Sequence, residues 1–250
     1  MSKSKKRVIQ LVNYSSDSSD DSTTDKKIKL APIKLPLPPS IGLMFEDTEV
    51  QDDPSSLGGR TRSFPHMRGN WVSYVYIELT HDLLEKVAKN ILSNFGDLKL
   101  EPFQDFHISL SRTLPIPYHW LHQMTSSLKS LADTLQPFYV TFKGVKIFQN
   151  DDNSRYFVAV LVDIGISDLS WIQQRVDGIM SGYKLPVFYK PASFHTSLLW
   201  TVKKCPNGTE QIVEKLWHEV VSEVLSGIEF EVEAINFKTG HKSYTFTFKK

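Results

Sequence analysis

The sequence predicts an α+β protein of two lobes related by a pseudo-twofold, with two antiparallel-rich sheets flanking a central cleft, helices outside, and a disordered N-terminal tail. Three observations predict it. The order strand, helix, strand, helix, strand runs twice between Trp71 and the C-terminus. The middle strand of each run carries the same five-position string: 36 residues separate Trp71 from His107, and 40 separate Arg155 from His195. Repetition of both order and spacing is what a duplicated unit leaves behind. Residues 1–60, by contrast, lack the apolar content to bury a core. The expected organisation is a tail over 1–60 and one folded domain over 61–250, its lobes built from about 70–150 and 151–250.

The elements follow in order. WVSYVYIEL (71–79) is rich in β-branched and aromatic residues and reads as a strand. Thr80 then caps a helical pattern over 81–95 that stops at Gly96. FHISLS (106–111) alternates as a strand does. Pro117 opens a second helix over 118–135, and 138–148 returns as a strand broken at Gly144. The second run has a strand at 155–164 and a helix at 167–180 with Ser167 as its cap. A strand at 194–200 and a helix at 209–225 ending at Gly227 come next, and the last two apolar stretches form a hairpin across Gly240-His241.

Composition narrows the function classes. The 250 residues are 40% hydrophobic, enough for a real core. Lys+Arg at 29 against Asp+Glu at 28 leaves +1, so any polyanion site must be a local patch rather than a global field. One cysteine, Cys205, excludes a disulfide framework and a Cys-rich zinc site and fits a reducing compartment. No apolar run reaches the roughly 20 residues of a membrane span, and the N-terminus does not read as a secretory signal. A soluble intracellular protein without membrane contact is expected. The tail holds a Ser/Asp/Thr run over 15–25 between basic clusters, then a Pro-rich stretch over 32–39. It reads as a solvated segment, with nuclear import or docking through phosphorylatable serines as the sharper reading.

The chemistry sits in the repeated string, Phe106-His107-Ile108-Ser109-Leu110 and Phe194-His195-Thr196-Ser197-Leu198. With a side-chain period of two, His and Ser of each string share one face of the strand while the other residues pack into the core. A twofold arrangement then brings two imidazoles and two hydroxyls to one cleft. Two imidazoles flanking a phosphate form a general base and a general acid, each with an ordinary pKa of about 6.5. Hydroxyls donate to the non-bridging oxygens as charge builds. On RNA the 2′-OH is itself the nucleophile, so neither a protein nucleophile nor a metal is required.

These strings resemble the two signature motifs of the 2H phosphoesterase superfamily. The segments 62–71 (RSFPHMRGNW) and 188–195 (FYKPASFH) are similar to those of its nuclear branch, which trims the 3′ end of U6 small nuclear RNA. The resemblance implies a bilobal fold and a nuclear 3′-to-5′ exoribonuclease. It would remove terminal uridines or adenosines by cofactor-free, metal-independent transesterification, leaving a 2′,3′-cyclic phosphate or a 3′-phosphate. Carried over residue by residue, it makes His107 and His195 the catalytic pair and Ser109 and Ser197 the phosphate contacts. Tyr189 becomes the aromatic on which the terminal base stacks. Pro191, Ala192, Ser193 and Phe194 line the nucleotide pocket, and Asn150 and Asp151 stand where the departing nucleotide is contacted. Pro191 and Ala192 occupy positions where the family usually has an acidic residue followed by proline. The implied partners are the single-stranded 3′ end of U6 RNA and, through the tail, spliceosome-associated proteins; the implied state is a monomer.

Other readings stay open on the residues alone. A 2′,3′-cyclic phosphodiesterase or 2′–5′ RNA ligase-like enzyme would use the same His-Ser pairs, and a non-catalytic RNA-binding module would keep the cleft. His119 and His122, at i and i+3, read as a solvated helix face, and His218 and His241 as structural or exposed. The segment around His66 reads as docking the end of the tail. Lys143, Lys146 and Arg155 are candidates for a local basic track.

Overall fold

In the computed structural model, described for Phe64 and residues 67–249 apart from 80–81, 95–98 and 205–207, one antiparallel sheet of nine strands carries the fold. Chain contacts divide the protein into Met1–Thr48 and Glu49–Lys250, and every described residue belongs to the second unit. The tail over 1–60, the Thr80 cap, the Gly96 stop, His66 and Cys205 lie outside the described residues.

The strands are β1 (Asn70–Glu78), β2 (Glu101–Pro102), β3 (His107–Ser109), β4 (Leu114–Pro117), β5 (Phe138–Val140), β6 (Phe142–Gln149), β7 (Tyr156–Val162), β8 (His195–Thr201), β9 (Phe230–Val232), β10 (Ala234–Thr239) and β11 (Lys242–Thr247). The main sheet runs β11-β10-β1-β3-β8-β7-β6, with β2 added to β8 and β4 to β1, while β5 and β9 pair separately. The α+β class and the antiparallel pairing thus follow the expectation. The β3–β8 ladder makes the two halves of the sheet continuous, joining them where each would otherwise leave an unpaired edge. A second feature is non-local. The strand that ends the first sequence run, β6, pairs with β7 of the second, and β10 from the second pairs with β1 of the first.

The helices are α1 (Asp82–Asn94), α2 (Leu121–Ala132), α3 (Ile166–Gly182), α4 (Thr209–Leu216) and α5 (Ser222–Leu225), the last two joined by a π turn over Trp217–Val221. Each long helix buries an apolar stripe at helical spacing: Leu84, Val87, Ala88 and Ile91 on α1, Leu121, Met124 and Leu128 on α2, Leu169, Ile172, Val176 and Met180 on α3. They meet the strand residues that alternate inward, among them Val75, Ile77, Ile108, Thr196 and Val160. Complete burial of one such aliphatic side chain contributes about 1.5–3 kcal/mol. Among the described residues no helix is long and apolar enough to cross a membrane.

Two glycines set local geometry. The strand over 138–148 divides into β5 and β6, and the register with β7 shifts between Phe142 and Val145, where Gly144 takes φ +83. Helix α3 begins one residue before the expected cap. Gly165, at φ +89, is its N-cap in place of Ser167, and a Cβ there would lie 2.7 Å from the Tyr139 carbonyl oxygen. The closeness of that backbone, rather than a capping hydroxyl, sets the entry of the helix.

Candidate active site

Strands β3 and β8 are neighbours in register, with Ile108 opposite Thr196. That register sets His107 across from Ser197 and Ser109 across from His195, all four side chains on the face turned away from the helices. The imidazoles are diagonal neighbours, which for an antiparallel pair means about 7–8 Å between backbone positions, enough to admit one phosphodiester. Ile108 and Thr196 are fully buried on the opposite face, and the Thr196 hydroxyl donates to the His107 carbonyl at 3.3 Å. The core thus anchors the strands whose outer face carries the chemistry.

Both histidines are oriented by the same local device. Nδ1 of His107 lies 3.1 Å from the Asp105 carbonyl oxygen, and Nδ1 of His195 lies 2.8 Å from the Ser193 carbonyl oxygen. A carbonyl only accepts, so Nδ1 carries the hydrogen in each ring and Nε2 is left to exchange protons. Sequence reasoning missed these carbonyls; the signal was available, since each stands two residues before its histidine in both copies.

The surroundings of the two rings differ. The Phe148 ring stacks on His195 with centroids 3.9 Å apart, and the Lys146 ammonium sits 5.3 Å from the Phe148 centroid. His107 is bordered by Tyr74 and Tyr76 at 5.7 and 5.5 Å. Both tyrosines lie on the polar side of β1, a position the alternation in WVSYVYIEL could have revealed. Burial pushes both histidine pKa values below the ordinary 6.5. Around His107 the Asp105 and Glu78 charges oppose that shift while Lys238 adds to it. Around His195 the other charges, His107 and Lys146, both deepen it. Burial also pushes Tyr74 up to about 12, so its hydroxyl remains a donor at neutral pH. Lys238 pairs with Tyr74 and Lys146 with Ala159, so one lysine stands on the outer side of each half of this face.

The remaining candidates divide. Tyr189 is 42% exposed and lies beside Asp151, its hydroxyl 3.5 Å from Asp151 Oδ2. Pro191 and Ala192 are exposed in the loop before β8, and Ser193 turns its carbonyl to His195. Asn150 is occupied locally: its Nδ2 donates to Ser154 Oγ at 3.0 Å and its Oδ1 accepts from the Arg155 amide at 2.8 Å, closing the β6–β7 turn. The Phe194 ring is buried, 6.0 Å from Phe188 and nearly parallel to it, and its carbonyl accepts from the Val162 amide. Its side chain belongs to the core beneath the loop. His119 and His122 line a separate depression of about 340 Å³ with Trp71, Tyr118, Lys242 and Tyr244. Among the described residues no three His, Cys, Asp or Glu side chains gather as a metal-holding group.

Comparison with known proteins places the chain in a family. A protein-family profile, HVSL, described as an uncharacterised conserved protein, matches residues 35–247. The U6 snRNA phosphodiesterase 1 of Drosophila melanogaster is 33% identical over 263 residues, covering 96% of this chain and all of that protein. The chain belongs to the U6 snRNA phosphodiesterase family. The human protein of that name is 29% identical over 96% of this chain and 98% of its own length. Among solved structures, Usb1 of Kluyveromyces marxianus covers 71% of this chain and 98% of its own, at a TM-score of 0.52 and 18% identity. A Thermus thermophilus protein, TT0787, covers 72% of this chain and all of its own, at 0.51 and 13%. The structural likenesses concern the fold alone, which this U6 snRNA phosphodiesterase family member shares with Usb1 and TT0787.

Acting as acid and base, His107 and His195 would give their depressed pKa values a kinetic consequence. The group acting as base must be neutral, so the rate rises as pH climbs through its pKa. The group acting as acid must be protonated, so the rate falls as pH climbs through its own. With both values below 6.5, kcat/KM is expected to peak on the acid side of about 6.5. A pH profile with its maximum at 8 or above would contradict this electrostatic assignment.

Proposed function

We propose that the chain is a nuclear 3′-to-5′ exoribonuclease that trims the uridine- or adenosine-bearing 3′ end of U6 small nuclear RNA. The observation that carries the reading is the diagonal placement of two Nε2-presenting imidazoles, each beside a serine, on one open face of a continuous ladder. Family membership supports the substrate class.

The chemistry is a transesterification. The 2′-oxygen of the penultimate ribose forms a bond to the last phosphorus as the bond from phosphorus to the departing 5′-oxygen breaks. One histidine takes the 2′-OH proton at Nε2 and the other gives its Nε2 proton to the 5′-oxygen. Burial lowers the pKa of both rings, but the Asp105 and Glu78 charges oppose that shift at His107 whereas Lys146 deepens it at His195, which supports His107 as the acid and His195 as the base in this step. Ser109 and Ser197 hydroxyls donate to the non-bridging oxygens. The products are the terminal nucleoside and a 2′,3′-cyclic phosphate; a later attack by water, with the roles reversed, opens it to a phosphate. Tyr189 supplies the stacking surface for the terminal base, with Asp151 at its edge and the 191–193 loop along the pocket. Asn150 and Phe194 act by holding the turn and the loop in place. A nuclear location, a monomeric state and a tail that docks spliceosomal proteins belong to the same reading.

Incubation with 3′-oligouridylated RNA followed by mass spectrometry of the shortened ends tests it. Loss of one 3′ nucleotide at a time with a cyclic or opened terminal phosphate is expected. Internal cleavage, or ligation of 2′–5′ ends without trimming, would instead favour the ligase-like alternative.

A further inference from the structure

We propose that Arg112 is the positioning residue that fixes Tyr189 as a one-sided stacking platform, and that it thereby sets affinity for the terminal base of the RNA. The inference rests on the nucleotide-binding role given to Tyr189 above and adds a residue which the sequence did not single out.

The geometry begins in the core. Just after β3, the buried Ser111 hydroxyl accepts from the Val75 amide at 2.8 Å and donates to the Arg112 carbonyl at 2.9 Å. The Val75 carbonyl accepts from the Leu110 and Ser111 amides at 2.9 and 3.2 Å. These bonds tie the backbone leaving β3 to β1 and fix where Arg112 departs. Its guanidinium lies 4.0 Å from the centroid of the Tyr189 ring. The same group donates from Nε to the Val187 carbonyl at 3.0 Å and from Nη1 to Asp151 Oδ2 at 3.1 Å. Three separate chain segments therefore converge on one planar side chain: the exit of β3, the β6–β7 turn and the loop before β8.

An exposed ion pair such as Arg112–Asp151 contributes little by itself. The planar fork matters more. Two bonds in its plane set the orientation of the guanidinium, which then covers one face of the tyrosine and leaves the other for a base. Phe188 meets the Tyr189 ring edge-on at 5.5 Å, and its amide donates to Asp177 Oδ1 at 2.8 Å, which fixes the base of the loop from the other side. A tyrosine held this way loses less freedom when a base stacks on it.

The test uses the full chain, 3′-oligouridylated RNA and the same RNA ending in an abasic ribose. R112A is expected to raise KM about tenfold on the uridine-ended RNA with kcat unchanged, the loss of roughly one base stack. On the abasic-ended RNA it should change KM less than about twofold, because no base is left to stack. R112K keeps the charge but not the fork and should not restore the parent KM, whereas R112A combined with Y189A should bind no worse than Y189A alone. An unchanged KM in R112A, an equal loss on abasic-ended RNA, a fall confined to kcat, full rescue by R112K, or additive losses in the double variant would each overturn the proposal. Failure of the parent enzyme to trim either RNA would overturn the functional reading itself, which separates the two outcomes.

Discussion

Replacing His107 or His195 by alanine is expected to lower the rate of trimming by about two to four orders of magnitude while leaving the melting temperature close to that of the parent protein. The loss is large because the described neighbours do different work: the hydroxyls of Ser109 and Ser197 donate hydrogen bonds but do not exchange protons near neutral pH, and the pKa of Tyr74 beside His107 is pushed up to about 12. The fold should tolerate the change because each imidazole is only half-buried and lies on the open face. Ile108 and Thr196 hold the strands from below and are untouched. Removing the second histidine as well should add little, since acid and base act in one transition state and losses within such a unit are strongly non-additive. Single-turnover rates on uridine-tailed RNA, set beside thermal melts, would check this. A variant that keeps a tenth of parent activity would mean that the imidazole it lacks is not an acid or base of the reaction.

A substrate with a 2′-deoxyribose at the penultimate position should not be cleaved at all, yet should compete with ordinary RNA at similar affinity. In the proposed transesterification the nucleophile belongs to the substrate, so removing one oxygen atom removes the attacking group and leaves the phosphate, both flanking bases and the leaving oxygen intact. The stacking proposed at Tyr189 and the contacts proposed from both serines do not involve that oxygen, so binding should persist. Trimming of the deoxy substrate at even a hundredth of the normal rate would require a different nucleophile, and water activated by one imidazole would then replace transesterification.

Much of this site could be read from the chain alone, and the reasons are local. A period of two puts His107 with Ser109, and His195 with Ser197, on one side of a strand whatever the rest of the fold does, and the two matching strings announced a related pair. The strand and helix order was legible for the same reason, since Leu84, Val87 and Ile91 or Leu169, Ile172 and Val176 repeat at helical spacing. What escaped depends on partners far away in sequence. The matching strings put the two His-Ser pairs at one cleft, but nothing in them says that the strands carrying them pair directly, nor that β6 and β10 cross to the opposite run. The sequence did not single out Arg112, because Tyr189, Val187 and Asp151 reach it only in the folded chain. The α3 cap at Gly165 was missed because the carbonyl pressing on it belongs to Tyr139, outside any local capping pattern.

The pairing of Ile108 with Thr196 has one more consequence. The gap between the imidazoles is quantised. It is set by which residues are bonded across β3 and β8, not by a hinge or a flexible arm, so evolution cannot widen it by small degrees. A slip of a single residue would swing one histidine and its serine into the hydrophobic interior, and a slip of two would carry the rings past each other by about 7 Å. Variation in this scaffold is therefore free to accumulate only in the loops that rim the face, while the distance between the two imidazoles stays fixed.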